Sequence, residues 1–522
     1  MKMAENIIDP IAELERDFGN YDATISAWRH LRPNQLALID HERQINWQAL
    51  DSITAHLAAA LQRDGLQKGQ AVAILGTSCI SYALVYIAAI RAGGCAAPLT
   101  TSATPKQLRA MMADSGAKHL FIDAPKLHDL EGEVGELDII MLEDIDLWMR
   151  QKVATENTRH EAPNSQPDDP FNIIYSSGTT GTPKGIVHSH LMRWRQIAIG
   201  EKSGYGANSA ALLSTPLYSN TTLGCFNPSI GYGGTTIIMP KFGVEAYLNL
   251  AQKHRATHTM LVPVQYKRIM EFEGFDRYDL SSYMLKYCTS APFAAELKAD
   301  IVARWPGELV EIYSMTEGGV VCLLRCTQYP DKLHTVGQPH IGSEVITIDE
   351  DLKPLPAGEI GELVGRSPTM MSGYQNQPKK TNEASWYDAN GERWQRMGDI
   401  GRVDAEGFVE LIGRSKDMII SGGFNIYPKD LEEILIAHPA VDEAGVIGVP
   451  SDRWGETPVG FISTAGNAPA DLDTVLADVN SELGKTQRLS KLYQIREMPR
   501  SHIGKLLKTE LRSMADGIEN SN

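Results

Sequence analysis

Positive charge is in short supply. The 522 residues hold 49 Lys and Arg against 65 Asp and Glu, a net charge of −16. So acidic a chain offers no broad basic face, which argues against nucleic acid and anionic membranes as partners. Cysteine is scarce too: the six, at 79, 95, 225, 288, 322 and 326, are scattered and form no C-x-x-C, and Cys322 and Cys326 lack nearby His partners for a metal site. Reduced structural thiols are expected, as in the cytoplasm. Long apolar runs are missing. The most apolar stretch, Ile80–Ile90, stops at Arg91, too short for a membrane span and suited to a buried helix. The first twenty residues contain no signal-peptide core, and the last four, Glu-Asn-Ser-Asn, match no lipidation or peroxisomal address. Internal repeats and low-complexity tracts are absent.

What is present is an ordinary globular composition, 43% hydrophobic and 22% charged, long enough for two or more domains. Short apolar runs at 71–75 and 119–122 read as strands, with a helix over 81–91 closed by Gly93-Gly94. That βαβ rhythm implies a parallel sheet. It continues to about residue 340, with strands expected at 235–239, 258–262 and 309–313 and a helix over 295–305. From Val345 to Val364 two apolar segments flank Pro354, Pro356 and Gly358, a hairpin-like β subdomain. After a strand at 408–412, the charged run Gly413-Arg414-Ser415-Lys416-Asp417 interrupts. Beyond it, 428–438, 444–449, 459–464 and 472–483 alternate helix and strand. The expected fold class is α/β: a large N-terminal domain of parallel-sheet layers with a small β subdomain, residues 1–414, and a small mobile α+β domain, residues 415–522.

Residues 175–185 read Tyr-Ser-Ser-Gly-Thr-Thr-Gly-Thr-Pro-Lys-Gly. Gly178, Gly181 and Gly185 allow close backbone approach to a ligand. Ser176, Ser177, Thr179, Thr180 and Thr182 supply short hydroxyls, and Lys184 a positive charge, a set suited to phosphate oxygens. Such stretches are more often solvated linkers. A linker seldom hangs from a strand-like run such as Phe171–Tyr175, a common ligand position in α/β folds. The spacing is not that of G-x-x-x-x-G-K-[ST], since Gly185 follows Lys184.

Four further segments carry chemistry, each with a bland alternative. Tyr313-Ser314-Met315-Thr316-Glu317-Gly318-Gly319 offers a ring for a purine face and oxygen donors for magnesium. Equally, Glu317 could be an acid opening a helix. Asp399, in Trp394–Asp399, could grip ribose hydroxyls or sit in a Gly-Asp turn. The run Gly413–Pro428 joins a charged hinge to Gly422-Gly423, where a solvated loop is the alternative. In Pro499–Lys508, Lys505 stands behind a glycine in a polar loop, where an exposed tail lysine is the default.

These segments come in one order. The chain closely resembles the adenylate-forming superfamily of acyl-CoA and aryl-CoA synthetases, adenylation domains and beetle-type luciferases, from near residue 20 to Lys505. Gly373-Tyr374, Pro378, Thr381 and Ser290-Ala291-Pro292 add to the match. The resemblance implies ATP-dependent conversion of a carboxylic acid to acyl-AMP, then transfer to coenzyme A, with Mg²⁺ as cofactor. By similarity, Ser176, Ser177, Gly178, Thr179, Thr180, Gly181, Thr182 and Lys184 would cradle the β- and γ-phosphates. Tyr313 would stack on adenine, with Glu311 at the base edge. Thr316 would touch the α-phosphate, and Glu317 would hold Mg²⁺. Asp399 and Arg414 would bind ribose. Lys505 would bridge the carboxylate and the α-phosphate. Lys416 would be the hinge whose rotation withdraws Lys505 and brings in Ser421, Gly422 and Gly423 for coenzyme A.

The pattern departs from the family in the acyl pocket. In Pro216–Leu223, expected on a strand, Ser219 takes the usual His position. The usual Thr-Gly-Asp reads Met397-Gly398-Asp399, and Ser314 replaces a common Gly. No Asp stands between Tyr218 and Asn227, which argues against an α-amino acid. No Trp stands in the Tyr313 motif, which argues for more than two carbons. Tyr218, Asn220, Thr222, Pro263, Val264, Ser290, Met315, Gly318 and Val320 are the expected wall, compatible with an aromatic or medium-chain acid. A stand-alone enzyme loading a separate carrier protein is the main rival, since no carrier segment follows Lys505. A luciferase-like oxygenase and a non-catalytic nucleotide binder rank lower. A homodimer is left open.

Overall fold

The structure is a computed structural model that describes residues 8–130, 134–152, 160–176, 184–421, 424–451, 453–484, 487–501 and 504–519. It divides into two compact units. The first holds residues 1–333, 340–343 and 366–395, and the second 334–339, 344–365 and 396–522.

The first unit contains two large sheets. In one, strands 36–39, 235–238, 210–213, 258–261, 285–288 and 308–315 lie side by side, all parallel. Antiparallel strands 44–46 and 318–325 extend its ends. In the other, 170–176, 95–98, 71–75, 119–122 and 138–141 run parallel; 184–189 pairs antiparallel with 170–176, and 373–374 antiparallel with 184–189. The βαβ rhythm of the sequence is thus realised in two sheets.

One apolar core joins them. It takes Val72, Ile74, Phe171 and Ile174 from one sheet and Ala211, Leu213 and Ile238 from the other. Helix Ile80–Arg91 is a large contributor, with further residues from helices Trp47–Arg63 and Asn220–Gly231. Every residue of Ile80–Arg91 except Ser81 is buried, as expected of a helix apolar on all sides. It ends where the sequence placed its stop: Gly93 takes φ +82°, and the Gly94 N–H reaches back to the Ala89 carbonyl at 2.9 Å, a left-handed glycine cap.

Arg91 is buried at that helix end. Its guanidinium donates to Asp22 at 2.5 Å, to Asp51 at 2.8 Å and to the Thr54 hydroxyl at 2.6 Å. A charge removed from water needs such partners.

The second unit holds strands 344–348, 361–366 and 409–414, and the strand Arg393–Val403 runs through the division between the units. Its C-terminal portion is a sheet in the order 424–426, 419–421, 455–463, 443–451, with 491–494 parallel to 455–463. Helices Pro428–Ala437, Leu472–Glu482 and Lys508–Glu519 accompany it, and apolar clusters lie around Leu431, Val446 and Val479 and around Phe461, Met498 and Leu511. The two apolar segments expected as a β subdomain form strands, and they belong to the same compact unit as the C-terminal sheet.

Candidate active site

Strands 308–315 and 318–325 form a hairpin, with Met315 opposite Gly318 and Thr316-Glu317 at its turn. The helix opening at Glu317 considered as an alternative is absent. Gly318 and Gly319 take φ +88° and +78°. A Cβ on Gly318 would lie 2.6 Å from the Met370 Cα and the Thr369 carbonyl oxygen, so this turn needs glycine twice over. The Met371 N–H donates to the Glu317 carbonyl at 2.9 Å.

Tyr374, on the short strand Gly373–Tyr374 beside Ile186, donates its phenol to Glu317 Oε1 at 2.9 Å. Burial, then the Glu317 charge, pushes the phenol pKa up, so it stays a donor. The Lys184 ammonium sits 5.3 Å from the centre of the Tyr374 ring. Lys184 and Glu317, 133 positions apart in sequence, thus flank one tyrosine.

Strand Pro170–Ser176 pairs antiparallel with Lys184–Ser189, Ser176 facing Lys184. The phosphate-loop candidate therefore joins the two arms of a β-hairpin. Ser177, Gly178, Thr179, Thr180, Gly181 and Thr182 lie outside the described residues, as do Gly422 and Gly423. Tyr175 anchors the near arm, its hydroxyl donating to Asp114 Oδ2 at 3.0 Å.

Glu311 and Tyr313 alternate along their strand and share one face, and the pairing turns irregular between Tyr313 and Met315. Tyr313 and Met315 are half-buried. Glu311 is buried and its carboxylate is paired with the buried Lys298 ammonium. Lys298 also donates to the Leu333 carbonyl at 2.7 Å.

The acyl-wall candidates divide. Helix Asn220–Gly231 begins where a strand was expected, with Ser219 at its N-cap. Tyr218 is half-buried. Asn220 accepts from the Arg193 guanidinium at 2.8 Å. Thr222 is fully buried, bonded to the Thr215 hydroxyl at 2.7 Å and donating to the Pro216 carbonyl at 2.6 Å. Its side chain is therefore turned into the core. Thr221, which the sequence did not single out, shares a 2.8 Å hydrogen bond with Ser290. Ser290 takes φ +82°, a strained conformation for a residue with a Cβ. Pro263 and Val264 open helix Pro263–Met270 and are half-buried, while Val320 is buried.

In the second unit, Asp399 and Arg414 face each other on paired strands, with Arg414 Nε 2.7 Å from Asp399 Oδ1. The Gly-Asp turn considered for Asp399 is replaced by a position inside strand Arg393–Val403, although Gly398 keeps a turn-like φ of +65°. Lys416 is exposed in the short 3₁₀ turn Ser415–Asp417. Ser421 is buried and ends strand Ile419–Ser421. Lys505 is exposed; its N–H donates to Ser501 Oγ at 3.1 Å and its carbonyl accepts from the Ser501 N–H at 2.8 Å.

A half-buried carboxylate at a turn, with a neighbouring hydroxyl at Thr316, is the hard oxygen set that Mg²⁺ favours. Glu317 and Thr316 thus fit the implied metal. The other convergent donor group found among the described residues, Asp64, His119 and Asp138, lies at the opposite edge of the phosphate-loop sheet, where the Lys152 ammonium already sits on Asp64. Also among the described residues, no helix is long and apolar enough to cross a membrane.

The fold and these residues define a nucleotide-dependent ligase of the AMP-forming class. The chain belongs to the AMP-binding enzyme family, whose profile matches residues 26–375, with the AMP-binding enzyme C-terminal domain at residues 430–505. It is 30% identical over 489 residues to a feruloyl-CoA synthase of an Amycolatopsis species, covering 92% of this chain and 96% of that protein. It is 30% identical over 496 residues to 4-coumarate–CoA ligase 2 of Oryza sativa subsp. japonica, covering 87% and 85%. ATP-bound MatB of Rhodopseudomonas palustris superposes with a TM-score of 0.84 at 26% identity, covering 96% and 99%.

Proposed function

We propose that this chain is a cytoplasmic carboxylate–CoA ligase that activates an aromatic or medium-chain acid. The substrate carboxylate oxygen attacks the α-phosphorus of ATP and pyrophosphate leaves. The thiol of coenzyme A then attacks the acyl carbon, losing its proton, and AMP leaves. The first step is needed because a carboxylate has no good leaving group, whereas the mixed anhydride has AMP. Positioning and charge neutralisation are what the protein contributes to such a transfer.

The observation that carries this reading is the Lys184–Tyr374–Glu317 cluster, which sets a cation and a metal-type carboxylate beside the phosphate-loop hairpin. Bound magnesium would neutralise phosphate charge there. Tyr313 is assigned to the adenine face, Thr316 to the α-phosphate, and Asp399 with Arg414 to the ribose. Lys505 is assigned to the carboxylate and α-phosphate. The domain division is placed at 414/415, with Lys416 the hinge and Ser421, Gly422 and Gly423 on the coenzyme A side. An aromatic acid is favoured by the relatives named for feruloyl, 4-coumarate and indoleacetate substrates.

A second reading has one supporting observation. A fatty acid–[acyl-carrier-protein] ligase of Streptomyces coeruleorubidus is 28% identical over 92% of this chain. The test is pyrophosphate release with ferulate, 4-coumarate, indoleacetate, medium-chain fatty acids and α-amino acids, each with coenzyme A or a phosphopantetheinylated carrier. Release with aromatic or medium-chain acids, and thioester on coenzyme A, is expected. Thioester on the carrier alone would replace this reading with the second.

A further inference from the structure

Arg193 lies on helix His190–Ala198 and is fully buried. Its guanidinium donates from Nε to Asn172 Oδ1 at 2.7 Å, from Nη1 to Gln196 Oε1 at 2.5 Å, and from Nη2 to His188 Nδ1 and Asn220 Oδ1, each at 2.8 Å. All four partners are uncharged. Burial lowers its pKa only to about 10, so it remains a cation. A buried charge is costly unless it is paired, and the hydrogen-bond partners of Arg193 among the described residues are all neutral. Such a placement calls for a use.

The use lies in what guanidinium cannot do. It has five N–H donors and no acceptor. His188 Nδ1 must therefore accept, which leaves the ring proton on Nε2. Nε2 lies 2.7 Å from the Thr316 carbonyl oxygen, to which it donates. With Nδ1 accepting from the guanidinium and the proton on Nε2, the ring is held in one neutral tautomer. Asn172 Nδ2 also lies 3.2 Å from Nδ1, and the Arg193 bond to Asn172 Oδ1 turns that amide so that it too donates. A neutral residue at 193 would leave both the amide and the tautomer free to flip.

We propose that Arg193 and His188 are positioning residues for the first half-reaction: Arg193 fixes the His188 tautomer, and His188 fixes the backbone of the Thr316–Glu317 turn. The same guanidinium ties down the strand entering the phosphate loop through Asn172 and the start of the acyl-side helix through Asn220. Three elements of the candidate site thus hang on one buried cation. This inference rests on the roles proposed above for Thr316 and Glu317.

The test compares His188→Leu, which loses the donor to Thr316, with His188→Gln, whose amide N–H replaces it. The contact to the Thr316 carbonyl is part-buried, and losing it costs part of a buried hydrogen bond. His188→Leu is expected to lower kcat for acid-dependent ATP–pyrophosphate exchange about tenfold and to weaken Mg·ATP binding, by calorimetry, about fivefold. The KM for the acid should hold. His188→Gln should stay within about threefold of the parent. Arg193→Met should lower kcat similarly, and adding His188→Leu to it should cost no more, because the two act through one contact. Should Arg193→Met not fold, the His188 pair decides alone. Equal behaviour of the Leu and Gln variants, or additive losses in the double variant, would overturn the proposal. A parent enzyme that exchanges pyrophosphate with no acid would sink the ligase reading and this inference with it. Normal exchange in both parent and His188→Leu would sink this inference only.

Discussion

The Tyr374 hydroxyl donates to Glu317 Oε1 at 2.9 Å, and the Lys184 ammonium lies 5.3 Å from the centre of the same ring. The phenol orients the carboxylate proposed to hold magnesium. Tyr374→Phe keeps the ring and removes the donor. A hydrogen bond to a charged group contributes roughly 1.5–3 kcal/mol, part of which the released carboxylate recovers from water. The half-saturating Mg²⁺ concentration in ATP–pyrophosphate exchange is expected to rise about fivefold or more. An unchanged magnesium curve would remove Tyr374 from the metal site.

Gly318 tests the turn itself. Gly318→Ala places a methyl 2.6 Å from the Met370 Cα and the Thr369 oxygen, at φ +88°. Both neighbours are backbone and cannot swing away. Left-handed strain of about 1–2 kcal/mol and overpacking of about 1–3 kcal/mol add. Gly391→Ala is the control: φ is +77°, with nothing within 4 Å of the new Cβ. The first variant should melt several degrees lower than the second. Equal melting curves would mean that the hairpin yields to the methyl.

What was legible in the sequence was local. The strand at 170–176, the buried helix at 80–91 with its Gly93 cap, and the C-terminal elements Pro428–Ala437, Glu443–Ser451, Gly455–Ser463 and Leu472–Glu482 follow from periodicity and stop signals. Helix Trp47–Arg63 was missed although Asn46 caps it, accepting from the Ala49 N–H at 2.8 Å. Asp399 looked like a turn residue because Gly398 precedes it. Its strand is set by pairing with Arg414, 15 residues on, and no local pattern shows that. The run at Pro216–Leu223 was placed on a strand by the family resemblance, whereas a helix begins at Asn220 and carries Pro228 inside it. Arg193 and His188 gave no signal. Their meaning comes from partners at 172, 220 and 316, which only the fold brings together.

Acid should expose the Arg91 cluster. Burial tends to raise the Asp22 pKa, but the Arg91 charge and His160 outweigh it and bring the group from 3.8 to about 2. A depressed folded-state pKa means stability that is present above the unfolded pKa near 3.8 and lost as pH falls towards 2. At ~1.4 kcal/mol per unit, the loss is about 2 kcal/mol. Asp22→Asn should melt lower than the parent at pH 7, and the gap should close between pH 4 and pH 2. A gap that stays constant over that window would place the acid sensitivity elsewhere.

Lys416 lies exposed in the turn Ser415–Asp417, next to Asp417, which accepts from Arg512 at 3.2 Å. Lys416→Pro restricts one backbone torsion at the proposed hinge. Thioester formation from supplied acyl-AMP should fall at least tenfold while ATP–pyrophosphate exchange stays within about threefold, as for a gating step. Unchanged overall turnover would remove Lys416 from the mechanism.

Lys505 gives the sharpest division between the two half-reactions. Ser501 and Lys505 exchange two hydrogen bonds, the Ser501 N–H to the Lys505 carbonyl and the Lys505 N–H to Ser501 Oγ, and Gly504 takes φ +75°. Lys505 is exposed. A lysine acts as a compact point charge, suited to oxygens that gain or share negative charge in a phosphoryl transfer. Such preorganised charge is typically worth 10²–10³ in rate. Lys505→Ala should therefore lower acid-dependent ATP–pyrophosphate exchange about 10²–10³-fold. Thioester formation from supplied acyl-AMP no longer involves the α-phosphorus, and it should stay within about threefold of the parent. Lys505→Arg keeps the charge but spreads it over a planar fork, so it should recover only part of the exchange rate. Equal losses in both half-reactions would show that Lys505 supports the loop or the second step, and the carboxylate would then need another cation.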